Sequence, residues 1–390
     1  MKIPSGAKLL ISRLNENGYR ADIVGGCVRD VLLGREPNDF DITTSALPDE
    51  MKRVFADMRT IETGIKHGTL TVLVDSEPYE ITTYRFDGEY TDNRHPDSVT
   101  FTRELSGDLS RRDFTVNAMC YNEADGFTDL FDGASDLEKR LIRAVGDPEK
   151  RFSEDALRIL RAIRFAATLG FAVEESTAAA VHKLSHLLLN VSAERIFVEW
   201  KKLIGGPSAH GILSEFSDVI SVVIPELSGM RLPSPDRFLE AGETIRELSL
   251  FASAEDFASA MARLRSDNKR KNHGVAVLSN INADISDTPA IHRLLVAVGP
   301  DAVRDIILLR KLRGEDMTAA SEILDSLINE GVPYRISDLK IGGNELSEIG
   351  IRGRDIGITL ARLLSDIADG NLENEADALV SRVGTYFERK

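Results

Sequence analysis

The pattern of apolar and polar positions divides the chain near residue 145. Before that point, short runs rich in β-branched and aromatic residues alternate with Gly- and Asp-containing turns, a pattern typical of strands. These runs lie at residues 21–24, 69–74, 79–84 and 116–121. After residue 148, apolar residues recur at helical spacing, beginning with 154–169, 174–189 and 193–204. The sequence therefore predicts an α+β chain, in which a mixed β-sheet with a few helices precedes an all-helical remainder.

Length and composition indicate a globular protein of two or three domains. The 390 residues are 42% hydrophobic and 28% charged, and no apolar run approaches the roughly 20 residues that cross a bilayer. With only two cysteines, a disulfide scaffold or a Cys-rich zinc module is excluded. Because Pro4 and Gly6 interrupt the N-terminal stretch, we expect no signal peptide and a cytoplasmic location.

The charge balance argues against unselective binding of nucleic acid. The chain has 48 Lys and Arg residues against 63 Asp and Glu residues, a net charge of −15. Three stretches reverse that sign: residues 150–170 carry net +3, residues 262–273 net +4 and residues 304–313 net +3. An RNA partner would therefore follow a narrow basic path, and the stretches at 262–273 and 304–313 are each either a phosphate contact or a solvated helix face.

Asp39 and Asp41 are the strongest candidates for chemistry. On a strand, side chains two residues apart lie on the same face, so this spacing predicts two neighbouring carboxylates. Such hard oxygen ligands suit Mg²⁺, which keeps waters and accepts substrate phosphates as further ligands. Taken alone, an Asp-x-Asp pair is a common turn feature, and its interpretation depends on the residues around it.

A candidate phosphate-binding segment precedes the two aspartates. An apolar strand leads into Gly25 and Gly26, and a helix-like stretch with Arg29 follows. Backbone N–H groups at such a turn cradle phosphates, and an arginine adds a charged contact. The alternative is an ordinary glycine turn with a surface arginine. A phosphate cradle followed by a metal-binding strand is the order expected of a nucleotidyltransferase.

Three further side chains are candidates for the same site. Glu80, in the next strong strand, has two interpretations. It is either a third carboxylate, which acts on the metal or on the attacking hydroxyl, or an outward-facing residue of an edge strand. Arg111 and Arg112 precede an apolar stretch. They either reach a triphosphate or the 3′ end of a nucleic acid, or they begin a solvated helix.

The net-positive stretch at residues 150–170 contains a predicted helix of about four turns. Ser153 is a suitable N-cap for this helix, and Gly170 is suitable at its C-terminal end. Arg158, Arg161 and Arg164 follow its exposed face, where they repel one another unless an anion lies there.

Asp155 and Arg158 have two interpretations. Asp accepts from an exocyclic amine and Arg donates to ring nitrogens and carbonyls, so the pair can present a hydrogen-bonding edge to a nucleotide base. Alternatively, the two residues form a salt bridge between positions i and i+3 of one helix. The residues by themselves leave both interpretations open.

Four motifs within residues 20–205 form a recognisable series. They are Gly25-Gly26-Cys27-Val28-Arg29-Asp30, Asp39-Phe40-Asp41, Arg111-Arg112-Asp113-Phe114-Thr115-Val116-Asn117-Ala118 and Glu154-Asp155-Ala156-Leu157-Arg158-Ile159-Leu160-Arg161. In order and separation they resemble those of the class II tRNA nucleotidyltransferases, the CCA-adding enzymes, which share a superfamily with bacterial poly(A) polymerases. Residues 192–196, together with Glu199, are similar to a further family motif. Beyond about residue 210, only length and helical character are similar.

The resemblance implies four domains and a reaction. A polymerase-β-type nucleotidyltransferase head would span residues 1–145, a helical neck for base recognition 146–206, a helical body 207–305 and a tRNA-binding helical tail 306–390. The reaction is the addition of C, C and A to the 3′ end of tRNA from CTP and ATP, without a nucleic-acid template. Mg²⁺ is the implied cofactor, and the sequence sets no oligomeric state.

The resemblance also implies a role for each residue that matches a family motif. It gives metal binding to Asp39 and Asp41 and phosphate contacts to Gly26 and Arg29. The nucleotide-binding arginine of the motif at residues 111–118 would be Arg111 or Arg112. Asp155 and Arg158 would read the base, and Arg161 and Arg164 would make further nucleotide contacts. Gly25 joins the phosphate contacts through its place in the same turn.

Several alternatives accompany this reading. Within the family, an enzyme that adds only CC has a shortened loop between the motif with Asp39 and Asp41 and the motif with Arg111 and Arg112. In this chain that loop, residues 86–99, looks full-length. A poly(A) polymerase usually carries a basic C-terminal extension, whereas residues 372–377 are acidic. A nucleotide- or RNA-binding module without activity does not need the two bare carboxylates. The pattern therefore favours complete CCA addition over CC-only or A-only addition.

Overall fold

The structure, a computed structural model, describes residues 1–37, 39–88 and 99–387. The chain divides into two units, Met1–Pro225 and Glu226–Lys390. Within the described ranges, no helix has the length and apolar character needed to cross a bilayer. The first unit contains every residue predicted to bind metal or nucleotide.

Short strands are concentrated in the first 145 residues. The described strands are β1 (Ala21–Val24), β2 (Ile42–Thr44), β3 (Thr60–Ile61), β4 (Thr69–Val74), β5 (Glu77–Thr83), β6 (Arg85–Asp87), β7 (Val99–Phe101), β8 (Met119–Asn122), β9 (Gly126–Asp129), β10 (Leu141–Ile142) and β11 (Ala172–Val173). The alternation of apolar residues sets the faces of these strands. In β4, Leu70 and Val72 are fully buried, because successive side chains point to opposite faces of a sheet.

Seven strands form one mixed sheet in the order β3-β4-β5-β2-β1-β8-β9. β2 and β5 are parallel, and the other neighbouring pairs are antiparallel. Two small ribbons lie outside this sheet, antiparallel β6 with β7 and parallel β10 with β11. The predicted mixed sheet is confirmed.

Helices flank the sheet and then take over the chain. In the first unit they are α1 (Ser5–Glu16), α2 (Gly26–Leu32), α3 (Pro48–Val54), α4 (Leu105–Ser110), α5 (Gly133–Lys139), α6 (Pro148–Glu154), α7 (Leu157–Leu169), α8 (Glu175–Leu184), α9 (Ala193–Ile204), α10 (Ala209–Glu215) and α11 (Ser217–Val223). Helix α7 packs against α9, since each has an apolar face at helical spacing.

The second unit is helical throughout its described residues. Its helices are α12 (Pro235–Glu240), α13 (Glu243–Ser249), α14 (Ala254–Arg263), α15 (Asn268–Ser279), α16 (Thr288–Val298), α17 (Pro300–Leu312), α18 (Thr318–Asn329), α19 (Gly343–Glu348), α20 (Arg354–Ala368) and α21 (Ala376–Phe387). The predicted helical remainder is therefore confirmed, with the two-residue strand β11 as its only exception among the described residues.

One predicted strand begins later than expected. Residues 21–24 and 69–74 match β1 and β4 residue for residue, but the run at 116–121 is a strand only from Met119. Residues 115–117 form a 3₁₀ turn, in which the Thr115 hydroxyl donates to Asp136 at 2.5 Å. The apolar alternation did not reveal this turn, because its cause is a contact with a distant carboxylate.

The predicted helix from Ser153 to Gly170 is broken at Asp155. Helix α6 ends at Glu154, Asp155 is extended with φ −134° and ψ 104°, and α7 begins two residues later. The N-cap prediction for Ser153 is wrong, because Asp147 caps α6 by accepting from backbone N–H groups in its first turn. Gly170 ends α7 at φ +75°, as predicted.

Candidate active site

The register of the central strands brings the sequence motifs to one end of the sheet. β1 and β2 are antiparallel with Ile23 opposite Ile42, so the residues after β1 and before β2 lie at the same end. β2 and β5 are parallel with Ile42 opposite Ile81. Asp41 and Glu80 each lie one residue before this pair and are therefore neighbours.

Asp39 and Asp41 precede β2, and the prediction that a strand aligns them is therefore wrong. The Asp41 carbonyl oxygen accepts from the Val24 N–H at 3.0 Å, which fixes the Asp41 backbone at the end of β1. Both aspartates are exposed and line a cavity of about 890 Å³, together with Glu80. Both carboxylates therefore line the same cavity, although neither residue lies on a strand.

The pKa of Asp41 is raised above its ordinary value. The surrounding protein atoms partly desolvate this carboxylate, and the negative charge of Asp39 adds repulsion. Arg112 partly offsets these effects, and Glu80 reinforces them. Asp39, Glu80 and Arg112 therefore each lie within electrostatic reach of Asp41.

Oxygen donors of this kind suit a hard divalent cation. The described ranges contain no group of three or more His, Cys, Asp or Glu side chains able to hold a metal. Two carboxylates are enough for Mg²⁺, because it keeps several waters and takes substrate phosphates as further ligands. Asp39 and Asp41 therefore fit a metal ion that shares its ligands with a phosphate-bearing substrate.

Gly25 and Gly26 form the predicted turn between β1 and α2. Gly25 has a φ of +87°, which favours glycine, and a Cβ at this position would lie 3.1 Å from Nη1 of Arg112. Arg29 lies in α2, where its buried side chain donates to Oδ1 of Asn117 at 2.6 Å. The turn therefore has the predicted shape, and its arginine is held by the protein.

Arg111 and Arg112 lie at the C-terminal end of α4, not at the start of a solvated helix. They share a fully buried partner, Asp108. Its Oδ1 accepts from Nη2 of Arg111 at 2.7 Å, and its Oδ2 accepts from Nη2 of Arg112 at 3.2 Å. Of the two arginines, Arg112 lies beside Gly25 and influences the pKa of Asp41.

The prediction of an exposed arginine face on α7 is wrong. Two of the three side chains are buried, and the third is one-third exposed. The anions that balance them belong to the protein itself. The pairs are Arg158 with Glu154 at 2.9 Å, Arg161 with Asp113 at 2.5 Å and Arg164 with Glu199 at 2.7 Å.

Asp155 lies in the break between α6 and α7 and pairs with Arg195. Nη2 of Arg195, in the first turn of α9, donates to Oδ2 of Asp155 at 2.9 Å. Arg158 donates instead to Glu154 and, at 3.0 Å, to the carbonyl oxygen of Arg111. Among the described contacts these replace the i,i+3 salt bridge, and they tie α7 to the arginines that follow α4.

Asp113 and Asn117 connect Arg29 to Arg161. The Asp113 carboxylate accepts from Nε of Arg161 at 2.8 Å and from Nδ2 of Asn117 at 3.2 Å. Burial raises the pKa of Asp113, but the charge and hydrogen bonds of Arg161 outweigh burial, and the pKa is about 2. Both residues belong to the motif at residues 111–118, and their spacing of four is the sequence signal for their contact.

Phe165 joins the same arginines and has no part in the motif series. The Cζ of Arg164 lies 3.4 Å from the centre of its ring, and the Cζ atoms of Arg29 and Arg161 each lie 5.3 Å away. Such cation–π contacts hold the guanidinium groups in place. The position of Phe165, four residues after Arg161, is the only sequence signal for this contact.

The predicted site residues therefore fall into three groups. At the end of the sheet lie Gly25, Gly26, Asp39, Asp41, Glu80, Arg111 and Arg112; around Phe165 lie Arg29, Arg161 and Arg164; in and after the helix break lie Asp155 and Arg158. Arg158 bridges the first and third groups through the Arg111 carbonyl oxygen.

Two family models match the chain. A model described as the poly(A) polymerase head domain matches residues 21–143. A model described as the probable RNA and SrmB-binding site of polymerase A matches residues 170–228. The first range contains the sheet end with Asp39, Asp41 and both motif arginines.

Relatives and a solved structure match nearly the whole chain. The CCA-adding enzyme of Lactobacillus helveticus is 37% identical over 382 residues, which are 95% of this chain and 94% of the relative. That of Lactococcus lactis is 37% identical over 400 residues, 98% of this chain and 96% of the relative. The crystal structure of the Bacillus stearothermophilus CCA-adding enzyme in complex with CTP is 32% identical, has a TM-score of 0.77 and covers 100% of each chain. This chain therefore belongs to the CCA-adding enzymes, a nucleotidyltransferase family with a head domain of the poly(A) polymerase type.

Proposed function

We propose that this protein adds C, C and A to the 3′ end of tRNA, using CTP and ATP without a template and releasing pyrophosphate. One observation carries the proposal: similarity to CCA-adding enzymes extends over at least 95% of the chain and includes the segment with Asp39 and Asp41. Two bare carboxylates facing one cavity serve group transfer, whereas a module that only binds RNA has no use for them.

The proposed chemistry is an in-line attack of the tRNA 3′-hydroxyl on the α-phosphate of the nucleotide. Asp39 and Asp41 would hold two Mg²⁺ ions, of which one would lower the pKa of the hydroxyl and the other would neutralise charge on the pyrophosphate leaving group. Arg112, beside Gly25, would bind the phosphates. Glu80, next to Asp41 across β2 and β5, would act on the attacking hydroxyl, since no group of three acidic side chains in the described residues can hold a metal.

Base recognition is proposed for the segment around the break between α6 and α7. Asp155 offers an acceptor and Arg158 offers donors, the combination that reads the edge of a cytosine or adenine. In the structure these groups are paired with Arg195 and Glu154. To read a base, Asp155 and Arg158 would use hydrogen-bonding atoms that these two pairs do not occupy, or one of the pairs would open so that its side chain binds the base.

The four-domain division stays a prediction and forms part of this proposal. It places catalysis in residues 1–145, base recognition in 146–206 and tRNA contacts in the helical residues 207–305 and 306–390. We also infer a cytoplasmic location, which is expected from the cysteine content and from the absence of a long apolar run in the sequence.

Extension of tRNA tests the proposed function directly. Purified protein is incubated with Mg²⁺, CTP and ATP and with three tRNAs, which end at the discriminator base, after one added C or after two. We expect every substrate to end in CCA when its 3′ terminus is sequenced. Three results would contradict complete CCA addition. Products that stop at CC would indicate CC-only addition, acceptance of only the tRNA ending in CC would indicate A-only addition, and a run of A would indicate a poly(A) polymerase.

The full length of the loop at residues 86–99, which favours complete CCA addition, is a feature of the sequence alone. Residues 89–98 lie outside the described residues, and the flanking strands β6 and β7 are the part of the stretch that the structure describes. Product sequencing therefore decides between complete and partial addition.

We expect Arg158→Ala to lower the selection of CTP and ATP over UTP and GTP by about tenfold or more. A well-placed arginine contact to a base contributes about 1–3 kcal/mol of discrimination, which Ala removes. The measurement is the ratio of kcat/KM for each of the four nucleotides on tRNA lacking its 3′ end.

Arg151→Ala is the matched control for this prediction. Arg151 pairs with the same Oε2 of Glu154 at 2.9 Å, so both variants deprive that carboxylate of one partner. We expect Arg151→Ala to keep the wild-type selection ratio. If both variants lose the same rate for all four nucleotides, Arg158 has no part in base reading.

Exposed cations of the two basic stretches in the second unit are expected to contact tRNA phosphates. Several arginines there pair with acidic groups, for example Arg263 with Glu226 and Arg270 with Glu247. Lys269 and Lys311 are exposed. Replacing either lysine with Ala is expected to reduce the slope of log K for tRNA against log salt by about one.

Lys340→Ala is the control for this pair. Lys340 is exposed in the same unit and pairs with Glu375 at 2.6 Å, outside both basic stretches. Equal slopes for the Lys269, Lys311 and Lys340 variants would remove the two stretches from the tRNA footprint and leave them as solvated helix faces.

A further inference from the structure

Asp108 is a buried carboxylate that no motif prediction includes. It lies in α4 and is fully buried. Its Oδ1 accepts from Nε and Nη2 of Arg111, at 2.9 and 2.7 Å. Its Oδ2 accepts from Nη2 of Arg112 at 3.2 Å and from the Thr43 hydroxyl at 3.1 Å. One carboxylate therefore orients two arginines and also contacts the central strand β2.

The Asp108 carboxylate is the shared partner of two guanidinium groups, those of Arg111 and Arg112. Burial raises the pKa of Asp108, but Arg112 and Arg111 outweigh burial and lower it, so the carboxylate is ionised at neutral pH. Asp108 therefore keeps the negative charge that holds both arginines.

Arg112 is the member of this cluster that faces the candidate active site. Its Nη2 is bound to Asp108, whereas its Nη1 lies beside Gly25, 3.1 Å from the position of a Cβ there. Its Nε is buried and has no hydrogen-bond partner among the described residues. A buried donor without a partner is costly, and a nearby anionic ligand would relieve that cost.

Thr43 links this arrangement to the two aspartates. It lies on β2, two residues after Asp41, and its fully buried hydroxyl donates to Asp108. The Asp108 carboxylate therefore connects Arg112 to strand β2, which begins directly after Asp41. Precise placement matters because phosphoryl transfer depends on the positioning of charges around the triphosphate.

We propose that Asp108 is a positioning residue for nucleotide binding, which holds Arg112 beside Gly25 so that its guanidinium meets the phosphates of CTP or ATP. The proposal rests on the proposed function, because it takes the ligand at Asp39 and Asp41 to be a nucleoside triphosphate. It assigns the phosphate contact to Arg112, whereas Arg111 directs both Nε and Nη2 to Asp108.

The central test is the dissociation constant of CTP, measured by calorimetry with Mg²⁺ and the full-length chain in the absence of tRNA. Asp108→Asn keeps the shape of the side chain and an acceptor for Thr43 but removes the charge that holds Arg112. We expect CTP to bind about tenfold or more weakly, the loss typical of one misplaced charge-assisted hydrogen bond. In the extension assay, KM for both nucleotides is expected to rise more than kcat falls.

A double-mutant cycle shows whether Asp108 acts through Arg112. Arg112→Ala alone is expected to weaken CTP binding at least as much as Asp108→Asn does. Adding Asp108→Asn to Arg112→Ala is expected to cause no further loss, whereas adding it to Arg111→Ala is expected to cause the full loss. A loss of unchanged size in the Arg112→Ala background would overturn the proposal.

Asp136→Asn is the matched control for a merely structural effect. Asp136 is also a buried carboxylate of the first unit, and it likewise accepts from a threonine, Thr115, and from an arginine, Arg143 at 2.9 Å. We expect the two substitutions to lower stability to a similar extent, and only Asp108→Asn to weaken CTP binding. Equal weakening of CTP binding by both would overturn the proposal.

Arg112→Lys keeps the test decisive if Asp108→Asn does not fold. Lysine retains the positive charge but lacks the planar fork that reaches Asp108 and Gly25 together. The proposal expects Arg112→Lys to bind CTP about as weakly as Arg112→Ala, and wild-type affinity in Arg112→Lys would overturn it. Failure of the proposed function has a different signature, because the wild-type protein would then bind CTP and leave tRNA unextended.

Discussion

Asp41→Ala is expected to lower incorporation of CTP and ATP by about a thousandfold or more, because it removes one of only two carboxylates proposed to bind the metal. The effect should appear in kcat with tRNA lacking its 3′ end, since loss of the metal removes stabilisation of the charge that develops on the triphosphate. The fold should remain intact, because Asp41 is exposed and its structural contact with Val24 is made by the backbone carbonyl oxygen.

The control for Asp41 is a carboxylate of the same cavity that makes no proposed metal contact. Glu36 is exposed and lines the cavity with Asp39 and Asp41. Glu36→Gln removes the same negative charge from the cavity wall and is expected to keep most of the activity. Near-normal turnover of Asp41→Ala, or an equal loss in Glu36→Gln, would show that Asp41 has no specific role.

Asp113→Asn is expected to destabilise the first unit by about 3–5 kcal/mol, because it leaves the Arg161 guanidinium without its main carboxylate partner. The next acidic group, Glu199, lies 3.9 Å from Arg161 and already pairs with Arg164. Trp200, the single tryptophan, is buried in α9 of the same unit. Its fluorescence during urea unfolding therefore measures the stability of this unit.

The stabilising effect of Asp113 should depend on pH in a defined direction. Its pKa is about 2 in the folded protein and 3.8 as the ordinary value, so its ionisation stabilises the fold above about pH 4. That contribution is lost as the pH falls through about 2, and about half of it should remain at pH 3. The difference in unfolding free energy between wild type and Asp113→Asn should therefore shrink on acidification.

Asp57→Asn is the control for this result. Asp57 also accepts two hydrogen bonds from one arginine, Arg13, at 2.8 and 3.1 Å, but its side chain is 67% exposed. Solvent screening makes such a pair weak, so we expect a much smaller change in stability. A stability loss in Asp113→Asn no larger than in Asp57→Asn would contradict the structural role of the Asp113 and Arg161 pair.

The motif order predicted which residues meet at the sheet end, although not how they meet. Asp39 and Asp41 were expected on a strand, but both precede β2, and it is the register with β1 and β5 that brings Gly25 and Glu80 beside Asp41. A two-residue alternation indicates local direction only. Strand register depends on pairing between segments that lie far apart in the chain.

The charged groups of α7 show where sequence reasoning failed. The net positive charge of residues 150–170 predicted an exposed basic face. That charge includes only residues close together in the chain and leaves out partners on other elements. The actual partners of Arg161 and Arg164, Asp113 and Glu199, lie 48 and 35 positions away. A buried arginine and an exposed arginine look alike in a helical pattern until the opposing element is known.

By itself, the sequence determined the sheet-then-helix order, the family, and the two aspartates that carry the proposed chemistry. These follow from short-range periodicity and from motifs whose residues lie close together in the chain. Only the tertiary structure decided the break at Asp155, the pairing of each arginine and the central place of Asp108, because burial and ion pairing depend on residues brought together by folding. The sequence therefore predicted which chemical groups are present, and the fold decided which of them remain available to a nucleotide.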